Sequence, residues 1–137
     1  MDLEEYTLAI GKIIVNLHSL EFALRSFLWN HQNSTNLKNR HNTILQLKVG
    51  QEVPADAFSN YDTLNELIKK FNKIVRQVDS KFSLDQSIVD LRDALAHGRI
   101  WAEDRQLPMQ LVKFAKENKG MVKVTHVELI NDEWLKS

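Results

Sequence analysis

Three residues past the middle of the chain carry the chemistry it offers: Arg92, Asp93 and His97, in the stretch RDALAHG. A guanidinium stabilises anionic charge, an imidazole exchanges protons near neutral pH, and a carboxylate can hold that imidazole in one tautomer. Asp93 and His97 together suit proton transfer near neutral pH. Asp93 and His97 are i, i+4 neighbours on one helical face, whereas Arg92, at about 100° per residue, points well away from His97. It can join His97 only through its long side chain, through distortion at a helix end, or across a dimer interface. The residues alone also allow a purely structural arrangement, with Arg92 paired to Glu21, Asp93 to His97, and Gly98 stopping the helix. Ion-pair networks of that kind also look like sites.

Other chemistries find no footing. The four glycines are scattered, so there is no phosphate-cradling loop, and the five histidines form no HxxxH pair or His-carboxylate cluster at metal-ligand spacing. No Gly-x-Ser-x-Gly elbow is present. The absence of cysteine excludes disulfides and thiolate zinc sites and is compatible with a reducing cytoplasm. No cofactor and no metal are expected. Lys plus Arg and Asp plus Glu both total 18, so any hold on nucleic acid needs a local patch rather than a global field.

The element that must position the triad is a helix inside SLDQSIVDLRDALAHGRIW, residues 83–101. Ser83 with Gln86 reads as a capping box, Leu84, Ile88, Leu91 and Leu95 as the apolar stripe, and Gly98 as a left-handed terminator. Gln86 and Asp90 extend the polar side that Asp93 and His97 occupy. Upstream, residues 4–31 read as a long helix buried through Ile13, Leu17, Leu20, Leu24, Phe27 and Leu28, with Ile10 and Ile14 widening the stripe. Lys12, His18, Glu21 and Arg25 interrupt its apolar run, which predicts a soluble helix and no membrane span. Glu21, beside the stripe, needs a cation: Arg25 at i+4 or Arg92 from another helix.

Residues 30–42 read as a polar loop, with no role assigned to His31 or His41, and residues 43–49 as a short strand or a turn of helix. Asp62 is expected to cap a second helix to about Val78, with Leu64, Leu67, Ile68, Phe71, Ile74, Val75 and Val78 facing inward. Its other side carries Lys69, Lys70, Lys73 and Arg76, which reads as solvated surface or as a phosphate-contacting patch. After Gly98, runs at 99–102, 109–114 and 121–124, with turns at 106–108 and 118–120, predict an antiparallel hairpin or meander outside the helical core. Thr125 with Glu128 reads as a capping box opening a terminal helix at about 126–136, which Asn131 and Asp132 can interrupt. His126 is assigned no role. The expectation is one mainly α domain over residues 1–137, with a β appendage at about 99–124.

RDALAH at 92–97 resembles the R-x4-6-H motif of the HEPN superfamily (higher eukaryotes and prokaryotes nucleotide-binding domain), and the following GRI resembles the continuation in bacterial members. The long first helix, with LHSLEFALRSFL near its centre, a second helix, and the motif at a later helix end are similar to the family's layout. The resemblance covers the chain to about residue 100. It implies an up-and-down bundle of four to five helices that forms a homodimer, with two motifs facing one cleft. It further implies a metal-independent endoribonuclease leaving 2′,3′-cyclic phosphate and 5′-hydroxyl ends, in a toxin or phage-defence role with a possible cognate antitoxin. Carried over, Arg92 would stabilise the phosphorane, His97 would be the general acid or base, and Asp93 would orient one of them. Lys69, Lys73, Arg76 and Arg99 would guide the RNA. Other family members are non-catalytic modules that dimerise and bind a nucleotide or a protein partner.

Overall fold

The computed structural model describes residues 2–32, 47–102 and 108–136, with the side chains of Leu135 and Lys136 excepted. His41, most of the expected loop at 30–42, residues 43–46 and the turn residues Gln106 and Leu107 lie outside the described residues. Among the described residues the chain is mainly helical with a small three-stranded antiparallel sheet. In order these are α1 (Leu3–Gln32), α2 (Leu64–Val75), a single 3-10 turn (Ser80–Phe82), α3 (Ser87–His97), β1 (Arg99–Trp101), β2 (Met109–Phe114), β3 (Val124–Ile130) and α4 (Asp132–Lys136). The chain divides into two compact units, one of His18–Leu84 and one of Met1–Leu17 with Asp85–Ser137, so the boundary falls within α1.

Helix α1 starts at a reciprocal cap: the Asp2 carboxylate accepts from the Glu5 amide at 2.8 Å, and the Glu5 carboxylate accepts from the Asp2 amide at 2.9 Å. By length and composition alone α1 could cross a membrane. Lys12, His18, Glu21 and Arg25 within it are groups that hydrocarbon excludes.

In the unit His18–Leu84, Leu24, Leu28 and Trp29 of α1 are buried, as are Ala57 and the α2 residues Leu64, Leu67 and Ile68. Trp29, outside the expected stripe, is buried, while Phe27 stays partly exposed and packs edge-on against Phe71. The cap of α2 is Thr63 rather than Asp62. Thr63 and Glu66 form a complete capping box, and the Asp62 carboxylate instead pairs with Lys70. The α-helix ends at Val75 and not Val78, because the amides of Gln77 and Val78 take tighter bonds to Ile74 and Val75, which leaves Val78 exposed. Asn72, almost fully buried, donates to the Leu84 carbonyl at 2.9 Å and accepts from the Leu84 amide at 2.7 Å, tying the chain after the 3-10 turn to α2.

The other unit is built on the sheet. Strand order is β1-β2-β3, with Arg99 opposite Val112, Trp101 opposite Gln110, Leu111 opposite Glu128 and Met109 opposite Ile130. The turn between β2 and β3 has Lys119 at φ 53° and Gly120 at φ 76° between Asn118 and Met121, two successive left-handed residues that suit a right-twisted hairpin. One sheet face presents Leu111 and Ile130, fully buried with Ala94 of α3 and Tyr6 of α1; Ile10, Leu91, Leu95, Met109 and Trp134 pack around them. The sheet is therefore half of a core and not an appendage to one. Tyr6 also accepts from the Met109 amide through its hydroxyl at 3.2 Å.

The terminal helix at about 126–136 is corrected. Val124–Ile130 is a strand, and Thr125, the residue skipped by a bulge, donates its hydroxyl to the Lys113 carbonyl at 3.2 Å. Residues of VTHVELI pair along β2, and cross-strand bonding with β-branched side chains outweighs the local capping pattern. Asn131 then starts α4, its carboxamide oxygen accepting from the Trp134 amide at 2.8 Å, where the sequence suggested an interruption.

Candidate functional site

The helix that carries Arg92, Asp93 and His97 begins at Ser87, later than the sequence suggests. Ser83 does not cap it: its hydroxyl donates to the Ser80 carbonyl at 2.8 Å, closing the 3-10 turn, and Gln86 makes no side-chain cap. The Asp85 carboxylate accepts from the Ser87 amide at 2.9 Å instead. That bond first, and a second from the Ser87 hydroxyl, hold the Asp85 carboxyl below its ordinary value.

Gly98 ends α3, though not in the left-handed conformation. Its φ of −80° and ψ of −174° are open to any residue, and its amide donates to the Ala94 carbonyl at 2.7 Å. Glycine is needed for space: a β-carbon here would sit 2.3 Å from the Ala94 oxygen and 2.9 Å from the Val112 oxygen. The helix end and strand β2 thus meet backbone to backbone, which places His97 next to the start of β1.

At this end the three residues do not converge as the i, i+4 spacing suggests. The Asp93 carboxylate is taken by Arg92, Nη1 to Oδ1 at 3.1 Å, both side chains being about two-fifths exposed. A charged, flexible guanidinium makes the stronger bond and reaches its sequence neighbour, so the expected Asp93–His97 pair gives way. His97 is exposed, and among the described residues its imidazole makes no hydrogen bond or ion pair. Its carbonyl accepts from Arg99 Nη1 at 3.0 Å. Arg99 is thus the cation tied to the His97 backbone, a link visible in the sequence only as nearness.

Of the two partners open to Glu21, the structure uses the local one. Arg25 reaches Glu21 at 3.2 Å and also donates to the Ala57 carbonyl, the Asn60 carboxamide and the Asp62 carbonyl at 2.8–2.9 Å. Lys69, Lys73 and Arg76 are exposed on or just after α2, in the unit His18–Leu84; Arg99 belongs with His97 in the other. His31 stacks on Phe27 with centroids 6.3 Å apart. His126 turns inward on β3 with Nε2 buried and 3.6 Å from the Glu128 carboxylate, which also accepts from the Trp134 indole. Among the described residues no three His, Asp or Glu side chains gather as metal ligands would.

Comparison of the chain with family models, with curated proteins and with solved structures finds no match.

Proposed function

We propose that the chain is a HEPN-like, metal-independent endoribonuclease that acts as a homodimer in the up-and-down helical arrangement of that superfamily. The observation that carries the reading is His97: an exposed imidazole at the end of α3 that makes no hydrogen bond or ion pair among the described residues, with Arg92 five residues before it on the same helix and Arg99 bonded to its carbonyl. In this reading one His97 takes the proton of a ribose 2′-hydroxyl as its oxygen attacks phosphorus. The bond from phosphorus to the 5′-oxygen breaks, and that oxygen leaves with a proton from the partner's His97. Arg92 stabilises the charge that builds on the phosphorane, freed from Asp93 by the stronger negative charge of the phosphate. Lys69, Lys73, Arg76 and Arg99 steer the RNA. The setting is cytoplasmic, with a toxin or phage-defence role and a possible cognate antitoxin.

Purified protein incubated with single-stranded RNA in excess EDTA should yield 2′,3′-cyclic phosphate ends, and His97→Ala should remove that activity. Folded wild-type protein that leaves RNA intact over a panel of substrates sinks the reading. A second reading is favoured by the Arg92–Asp93 ion pair, which occupies the cation the reaction would need. On that reading the chain is a non-catalytic HEPN-like module that dimerises and binds a nucleotide or a protein partner. Nucleotide binding that survives His97→Ala, without RNA cleavage, would select it.

A further inference from the structure

From Phe114 onward the hairpin of β2 and β3 leaves the core behind. The sheet's buried residues, Leu111 and Ile130, lie before that point, and every residue from Phe114 to Thr125 is exposed. Backbone bonding nonetheless continues to the tip. The Ala115 amide donates to the Lys123 carbonyl at 2.8 Å, and Asn118 and Met121 exchange amide-to-carbonyl bonds of 2.8 and 3.1 Å around Lys119 and Gly120. The arm is thus a bonded projection whose backbone is already ordered. Four of its side chains are apolar: Met121 is 74% exposed, Val122 52%, Val124 50% and Phe114 42%. Among them stand the exposed Lys116, Lys119 and Lys123, with Lys113 at the base and Glu117 the only acid from 114 to 125. Turns between strands are ordinarily polar, so Met121 and Val122 at this tip are out of place in water.

We propose that this arm docks on an anionic phospholipid surface, with Met121 and Val122 entering the headgroup layer and Lys116, Lys119 and Lys123 meeting the lipid phosphates. Aliphatic side chains are stabilised on leaving water for the acyl boundary. A lysine stem lies along such neighbours while its ammonium stays among the headgroups. Each signal needs the other: a small apolar insertion is readily reversed, and a basic patch alone is screened by salt. The chain's formal net charge is zero, so the lysine excess is local to the arm. Charges further off than about 8 Å are largely screened at physiological salt, and a bilayer at the tip responds to the arm itself. Single-stranded nucleic acid fits the tip less well. Bases stack on aromatic rings or guanidinium planes, and residues 115–125 contain neither an aromatic residue nor an arginine. The docking surface owes nothing to the ribonuclease reading, and its test involves no RNA cleavage.

Flotation of the full chain with lipid vesicles tests it. At about 0.15 M salt the protein should bind phosphatidylcholine vesicles containing about one-third phosphatidylglycerol, and not pure phosphatidylcholine. Lys116→Glu combined with Lys123→Glu should weaken binding at least about twentyfold, at roughly fivefold per lysine. Met121→Ser combined with Val122→Ser should weaken it about tenfold. Both pairs should leave far-ultraviolet circular dichroism unchanged. Lys12→Glu with Lys48→Glu, at exposed positions outside the arm, alters the net charge equally and should leave binding within about twofold. The chain has no cysteine, so Met121→Cys accepts a single environment-sensitive dye, whose emission should shift to the blue on anionic vesicles. The same dye at Val78→Cys, also exposed, should not shift. Absence of binding to anionic vesicles overturns the proposal, as do equal binding to neutral ones, an equal loss from the Lys12 and Lys48 pair, or a Met121→Cys dye that stays in water. Binding abolished by Val15→Lys overturns it in favour of α1 as the membrane contact. An oligonucleotide bound through Lys116 and Lys123, with no vesicle binding, overturns it in favour of a nucleic-acid arm.

Discussion

Arg25 and Arg92 are the same residue type in two regions of one chain, and their surroundings are opposite. Arg25 is 12% exposed and satisfies four acceptors, three of them from the segment 57–62 that leads into α2. Arg92 is 42% exposed and holds one carboxylate, that of its neighbour. A guanidinium whose donors are all consumed inside the protein is a structural tie. One with spare donors facing solvent can exchange its partner for a ligand. The same contrast separates Asn72, clamped on the Leu84 backbone, from His97, whose imidazole is unpartnered among the described residues.

The largest effect on stability should come from Arg25→Ala. It strands two carbonyls, a carboxamide and the Glu21 carboxylate, at a cost of about 3–4 kcal/mol by analogy with broken buried pairs and charged hydrogen bonds. Arg25→Lys should recover less than half of that, since an ammonium cannot reproduce the fork. Urea unfolding monitored by circular dichroism measures both. A loss under 1 kcal/mol for Arg25→Ala would remove the distinction between the two arginines.

Gly98→Ala should follow, at about 2–3 kcal/mol, because its methyl group meets two backbone oxygens that no rotamer change can move aside. Gly50→Ala is the informative control. Gly50 has open space but φ of 88°, so its cost of about 1 kcal/mol would come from conformation alone. A penalty at Gly98 no larger than that at Gly50 would mean that the two oxygens beside Gly98 give way to a methyl group.

Arg92→Ala should change stability by no more than about 0.5 kcal/mol, as exposed pairs generally do. If the ribonuclease reading holds, the same substitution should lower the cleavage rate about a hundredfold or more. Asp93→Ala then separates orientation from inhibition. A faster enzyme would mean that Asp93 restrains Arg92, and a slower one that it positions it.

How far these roles could be read beforehand follows the distance to the partner. The stripe of α2 and part of that of α1 were legible because helical burial repeats locally, as Leu24, Leu28, Leu64, Leu67 and Ile68 do, whereas Ile14 and Phe27 of the expected α1 stripe are exposed. Arg25 was legible only for its bond to Glu21; its other acceptors lie more than thirty residues on. Tyr6 and Met109 meet across 103 positions, and no periodicity announces that. At β3 two local signals competed, a capping pattern at Thr125 and Glu128 against β-branched content, and pairing with β2 decided between them. The end of α3 at Gly98 was correct for a different reason, crowding by the Ala94 and Val112 carbonyl oxygens, of which the second lies on a strand that no local pattern announces. The i, i+4 rule matched Asp93 to His97 but is blind to an arginine folding back on its neighbour.

The smallest effect belongs to the two helix starts. Helix α2 has a complete capping box at Thr63 and Glu66, while α3 relies on Asp85 ahead of an unhelpful Gln86. The Asp85 carboxyl is held below its ordinary 3.8 by the Ser87 amide and hydroxyl. A folded-state value below the unfolded one means that the ionised form is favoured by folding. Its contribution is therefore complete above the unfolded value and is lost as pH falls through the folded one. Asp85→Asn keeps an acceptor for the Ser87 amide and removes the titration. The wild type should be slightly more stable than Asp85→Asn from about pH 5 upward, with the gap closing as pH drops below the ordinary carboxylate range. Urea midpoints of the two proteins across that interval measure the gap. A gap constant with pH would show that α3 starts without help from the Asp85 charge, leaving the end that carries His97 as the only strongly specified end of that helix.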